Sequence, residues 1–165
     1  MAPKREAKVR PILAAVDFSD YSAKALLWAV DLAEQLSAPL VVLHVVHDPE
    51  SAPGYYKHSK KWKKHLVRME DAAAEMMEDF VAQLSHDHPH TSGLKHLDTR
   101  LVVGLPVTRI LEVAKKTDAQ MIVMGSQGRT GISHLLLGSK AAKVAQLAEV
   151  PVTIVKNPQP AEDPD

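Results

Sequence analysis

Short apolar runs, spaced about one helix apart, limit most strongly what this chain can fold into. Ile12 to Val16 reads ILAAV and Leu40 to Val46 reads LVVLHVV, and neither alternates polar with apolar. A strand that is apolar at every position is buried on both faces, so it belongs inside a sheet covered by helices on each side. Leu97 to Val103 (LDTRLVV) alternates at first and then turns apolar, which suits a strand nearer a sheet edge. Ala119 to Met124 (AQMIVM) and Pro151 to Val155 (PVTIV) complete a set of five.

Helical patterns separate the runs. After the first run, Ser19 and Asp20 are candidate N-caps, and Leu26, Val30 and Ala33 fall three and four apart on one face of a helix reaching about Leu36. Ser37-Ala38-Pro39 ends it. From Asp48 to Ser59 two prolines and a glycine mark an irregular loop, and a long helix is expected from about Lys60 to Leu84. Its apolar face uses Leu66, Met69, Ala73, Met76 or Met77, and Phe80. Pro106 suits a first helical turn, with Val107, Ile110, Leu111 and Ala114 repeating behind it. Ala141, Val144, Ala145 and Ala148 mark the last helix.

Strand and helix in strict alternation predict an α/β fold: a single doubly wound open sheet of about five parallel strands with helices on both faces. At 165 residues the chain reads as one domain over residues 9–156, with a flexible lead over 1–8 and a disordered tail over 157–165, where three prolines interrupt a polar stretch. Such sheets take ligands outside the carboxyl ends of their strands, at the point where strand order reverses. Three segments fall there: Val16-Asp17, His44 to His47, and the glycine-rich stretch after the fourth run.

Composition narrows the partners. Twenty Lys+Arg balance twenty Asp+Glu, so no overall charge favours nucleic acid or an anionic membrane. Lys57 to Lys64 holds five lysines near Tyr56 and Trp62, but the acidic residues Glu70, Glu75, Glu78 and Asp79 follow in the same helix, and a solvated helix end explains it better than nucleic-acid binding. The absence of cysteine excludes thiol chemistry and fits a reducing compartment. The charged N-terminus lacks the apolar core of a signal peptide and no run reaches the roughly 20 residues of a membrane span, so the expectation is a cytoplasmic protein. His86, His88 and His90 cluster around Pro89 without a fixed ligand spacing, and read as a polar loop rather than a metal site.

The stretch MIVMGSQGRTGISHLLLGS, Met121 to Ser139, carries the chemistry. A strand runs into a loop with Gly125, Gly128, Gly131 and Gly138, and then into a helix beginning Ser139-Lys140-Ala141. Glycine permits close backbone approach to a ligand, and a helix start offers N–H groups and a positive dipole end, a combination that holds phosphate. Ser139 adds a hydroxyl donor and Lys140 a cation. The loop fits neither standard phosphate motif: Gly138-Ser139-Lys140 places serine before lysine, unlike a P-loop, and Gly125 and Gly128 are spaced wrongly for a dinucleotide fingerprint.

The spacing Gly125-x-x-Gly128, nine residues, Gly138-Ser139 resembles the nucleotide-binding pattern of the universal stress protein family, in its ATP-binding branch. The likeness extends to ILAAVDFSDYSAKAL, VVLHVV, VVGLPVTRIL and PVTIV, nearly the whole chain. It implies a fold of the adenine-nucleotide α-hydrolase type, also described as Rossmann-like, with ATP in the crevice and Mg2+ or Mn2+ held mainly by the phosphates. By this resemblance Ala15, Val16 and Asp17 lie beside the nucleotide, Leu40 meets the adenine, and Met124, Gly125, Gln127, Gly128, Arg129, Gly138, Ser139, Lys140 and Ala141 surround the ribose and phosphates. Many relatives carry a hydroxyl residue where this chain has Ala141, which puts one phosphate contact in doubt. The resemblance also implies a homodimer through Pro151 to Val155.

The function expected is therefore a nucleotide-responsive regulatory or stress-resistance protein, whose further protein partner the sequence does not name. The alternatives are a slow ATP hydrolase of the same fold and a protein whose nucleotide is structural only. Hydrolysis needs a group to orient water and a held metal. Near the loop only Asp17, Gln127, Arg129 and His134 qualify, with no second carboxylate, so binding is favoured over catalysis.

Overall fold

The computed structural model describes residues 9–47, 60–128 and 137–157. The expected lead, the loop from Asp48 to Ser59, Arg129, Gly131, His134 and most of the expected tail lie outside the described residues. Five strands, β1 (Ile12–Val16), β2 (Leu40–Val46), β3 (Asp98–Val103), β4 (Met121–Gly125) and β5 (Val152–Val155), alternate with four helices, α1 (Asp20–Leu36), α2 (Lys60–Asp87), α3 (Pro106–Lys116) and α4 (Ser139–Leu147). The strands form one sheet in the order β3-β2-β1-β4-β5, and every pairing is parallel. The strand order reverses between β1, the central strand, and its neighbour β4.

β1 is buried at all five positions, as its unbroken apolar run requires. Ile12, Ala14 and Val16 pack with α1 and with Met77 and Leu84 of α2, whereas Leu13 and Ala15 pack with Ile110, Val113 and Ala114 of α3 and Ala141 and Val144 of α4. Two aliphatic cores thus sandwich one sheet. Small residues on α1, Ala25, Ala29 and Ala33, let that helix lie close to the sheet. Met77 rather than Met76 is the buried partner on α2, and Ala145 of α4 is exposed instead of sharing the face of Ala141 and Val144.

Boundaries differ from expectation where the chain makes tertiary rather than periodic choices. β4 begins at Met121, because Asp118 adopts φ 53° and the Ala119 N–H closes back on the Ala114 carbonyl, which ties Ala119 to the end of α3, while the Gln120 N–H donates to the Pro11 carbonyl just ahead of β1. α2 runs three residues past Leu84, and a short 3-10 helix over Ser92–His96 tucks Leu94 into the core before β3. β3 and β5 are the two edges.

Candidate functional site

A cleft of about 460 Å³ opens at the carboxyl ends of β1, β2 and β4, where the strand order reverses. Its volume lies within the range of small-molecule sites. The cleft brings together Ala15, Val16, Asp17, Met124, Gly125, Gln127, Gly128, Gly138, Ser139, Lys140 and Ala141, eleven of the residues expected from sequence, although they come from three separate stretches of chain.

Asp17 forms one wall. It follows β1 directly, and the same turn starts α1, whose N-cap Ser19 accepts from the Ser22 N–H through its hydroxyl at 3.2 Å. The Asp17 Oδ1 accepts from the Ser19 N–H at 3.2 Å and from the Ser19 hydroxyl at 2.6 Å. Its backbone N–H donates to the Ser22 hydroxyl oxygen at 3.3 Å. The Ser22 N–H in the first turn of α1 is thus capped by the chain's own Ser19 side chain. Oδ2 is turned toward the opposite wall: a β-carbon placed on Gly128 would lie 2.8 Å from it.

The glycine stretch forms that opposite wall. Gly125 ends β4 against the first turn of α1, where a β-carbon would come within 2.8 Å of the Tyr21 carbonyl carbon. The Gly138 N–H donates to the Ser126 carbonyl at 2.8 Å, which closes the two ends of the loop on each other. α4 then begins with Gly138 as N-cap, without a side chain to cap it, and its first closing bond is from Ala142 to the Gly138 carbonyl. The N–H groups of Ser139, Lys140 and Ala141 consequently have no intrahelical acceptor, at the positive end of the helix dipole. α1 carries a side-chain N-cap at Ser19 and α4 carries none, and it is the start of α4 that lines the cleft. Within this wall the Gln127 Oε1 is buried and has no hydrogen-bond partner among the described residues, the kind of atom a ligand donor would satisfy.

A third wall comes from β2 and α3. Leu43, His44, Val45 and His47, with Pro106 and Ile110, line the cleft, and Leu43, Val45, Ile110 and Met124 give it an aliphatic side. Leu40 is not among them. It pairs with Ile12 at the amino end of β1, five residues before Val45 and roughly 16 Å back along the strand. A strand start cannot reach a site at the strands' carboxyl ends, so any contact from β2 must come from its last residues. The position of His44 to His47 at the end of an unbroken apolar run was the available signal. Among the described residues Asp17 is the one carboxylate lining the cleft, and no group of three or more His, Asp or Glu side chains comes together.

These features define an open, parallel α/β sheet with a glycine-walled cleft at its switch point. The chain belongs to the universal stress protein family, whose sequence model matches residues 8–156. Universal stress protein YxiE of Bacillus subtilis is 33% identical over 159 residues, covering 88% of this chain and 97% of the relative. The structure of the universal stress protein UspA from Lactobacillus plantarum superposes with a TM-score of 0.71 at 28% identity, covering 91% of this chain and 99% of the other. A universal stress protein from Archaeoglobus fulgidus, solved in complex with dAMP, shares the fold with a TM-score of 0.62 at 24% identity, covering 91% of this chain and all of its own, 100%. Among the described residues no helix is long and apolar enough to cross a membrane.

Proposed function

We propose that the cleft binds ATP and that the protein is a nucleotide-responsive regulatory protein, acting in the cytoplasm as a homodimer joined through Pro151 to Val155. The observation that carries this reading is the meeting of Asp17, the Gly125 to Gly128 turn and the uncapped start of α4 around one cleft. Each part suits one portion of the ligand. The N–H groups opening α4, with the Ser139 hydroxyl and the Lys140 ammonium, favour phosphate oxygens. The Asp17 carboxylate, held at Oδ1 by Ser19, is a ready acceptor for ribose hydroxyls. The aliphatic side formed by Leu43, Val45, Ile110 and Met124 suits a planar base.

The fit extends to the backbone. The β-carbon distances at Gly128 and Gly138 show that side chains there would intrude on Asp17 and on the Ser126 carbonyl, at 2.8 and 3.3 Å. With Asp17 alone as carboxylate in the described cleft, Mg2+ or Mn2+ would be held chiefly by the phosphates. The dAMP complex of the Archaeoglobus fulgidus protein supports an adenine nucleotide as ligand of this fold. The absence of a second carboxylate in the described cleft favours binding over efficient hydrolysis.

Titration calorimetry with ATP and Mg2+ tests the reading. Gly128→Leu and Gly138→Leu are expected to remove measurable binding while circular dichroism keeps the wild-type spectrum. Unchanged affinity in both variants would refute the assignment of this cleft.

A further inference from the structure

The peptide unit that delivers Asp17 to the cleft is held at both of its polar atoms. Its N–H, on Asp17, donates to the Ser22 hydroxyl oxygen at 3.3 Å. Its carbonyl, on Val16, lies 2.9 Å from Nδ1 of His44. A carbonyl can only accept, so Nδ1 carries the proton and donates. His44 is paired with Val16 in the β1–β2 register, and its side chain therefore reaches the carbonyl where β1 ends and the Asp17 turn begins. The next residue is constrained as well. Phe18 has φ 64°, a left-handed conformation unfavourable for a bulky side chain. Its ring is stacked on His44 at 4.2 Å between centroids and 29° between planes, and meets Phe80 of α2 edge-on at 5.5 Å and 66°.

We propose that His44 is a positioning residue for the nucleotide: by holding the Val16 carbonyl and stacking on Phe18, it sets the direction in which Asp17 enters the cleft. This inference rests on the nucleotide-binding reading and adds to it a residue of β2 that acts through Asp17. The orientation matters because Oδ1 is already committed to Ser19, and Oδ2 points toward Gly128 across the cleft. Rotation of the Val16–Asp17 peptide would swing the carboxylate away from that wall. Phe80 extends the same support to α2, so the turn is braced from both a neighbouring strand and a helix.

Two substitutions separate the hydrogen bond from the ring. His44→Phe keeps a ring against Phe18 and loses the donor; His44→Asn places an amide nitrogen where Nδ1 was and loses the ring. Calorimetry with ATP and Mg2+ on the full chain is expected to show His44→Phe weakened by well over tenfold, and His44→Asn, which keeps the donor and loses only the stacking, weakened less, by about fivefold. Wild-type affinity in His44→Phe, or an equal loss in both variants, overturns the proposal. Should His44→Phe fail to fold, Phe18→Leu decides. Affinity reduced about fivefold with an unchanged thermal midpoint supports the brace, and unchanged affinity overturns it. Absence of binding by the wild-type chain refutes the nucleotide reading itself, an outcome distinct from these.

Discussion

Gln127 shows how much one residue can decide. Its Oε1 is buried among described residues that offer it no donor, which is costly for a polar atom and suits it to accept from a ligand donor in the cleft. Gln127→Leu removes that acceptor. We expect the ligand-free protein to be as stable as wild type or up to about 1 kcal/mol more stable in urea unfolding, while ATP affinity falls. A loss of stability with unchanged affinity would show that the amide serves the fold. The position of Gln127 between Gly125 and Gly128 was legible in the sequence, as was Asp17 at the end of an apolar run. The roles of Phe18 and Ser22 were not. A left-handed φ at a phenylalanine and a serine donating back to the Ser19 carbonyl depend on neighbours supplied by other elements, and no periodicity encodes them.

The contrast at the scale of elements lies between two helix starts. Ser19 caps α1 and also donates to Asp17, so a single hydroxyl serves both the helix and the site. Ser19→Ala should cost about 1 kcal/mol of stability, the usual worth of an N-cap, and should weaken ATP binding besides, because Asp17 Oδ1 loses the Ser19 hydroxyl at 2.6 Å. Denaturant unfolding and calorimetry on the same variant measure the two effects separately. A stability loss without any change in affinity would detach the cap from the site. The α1 cap was legible because Ser19-Asp20 precedes a clear helical face. The 3-10 helix at Ser92–His96 was not, since its short turn has no apolar period and owes its place to Leu94 filling the core.

β5 carries the question of assembly for the whole molecule. Among the described residues it is an edge strand, paired only with β4, and its four residues are half-buried. Pro151 and Val155 turn their carbonyls toward β4, accepting from Ile122 and Ser126, so by alternation Val152 and Ile154 present their backbone groups to the open edge. Ile154→Pro therefore removes an edge donor and leaves the bonds to β4 in place. If the homodimer forms through this edge, sedimentation velocity will show the variant as a monomer and the wild-type chain as a dimer. A dimeric variant would move the interface elsewhere.

Strand number, helix order, the parallel sheet and the phosphate-favouring loop followed from the sequence by itself, because hydrophobic periodicity and glycine spacing are local and repeat along the chain. Which carboxyl ends meet was a tertiary decision. Only the order β3-β2-β1-β4-β5 places Asp17 opposite Gly128, although more than a hundred residues separate them. That same sheet moved the β2 contribution from Leu40 to the end occupied by Leu43, His44 and Val45, because parallel strands gather all their carboxyl ends on one side and leave their starts on the other.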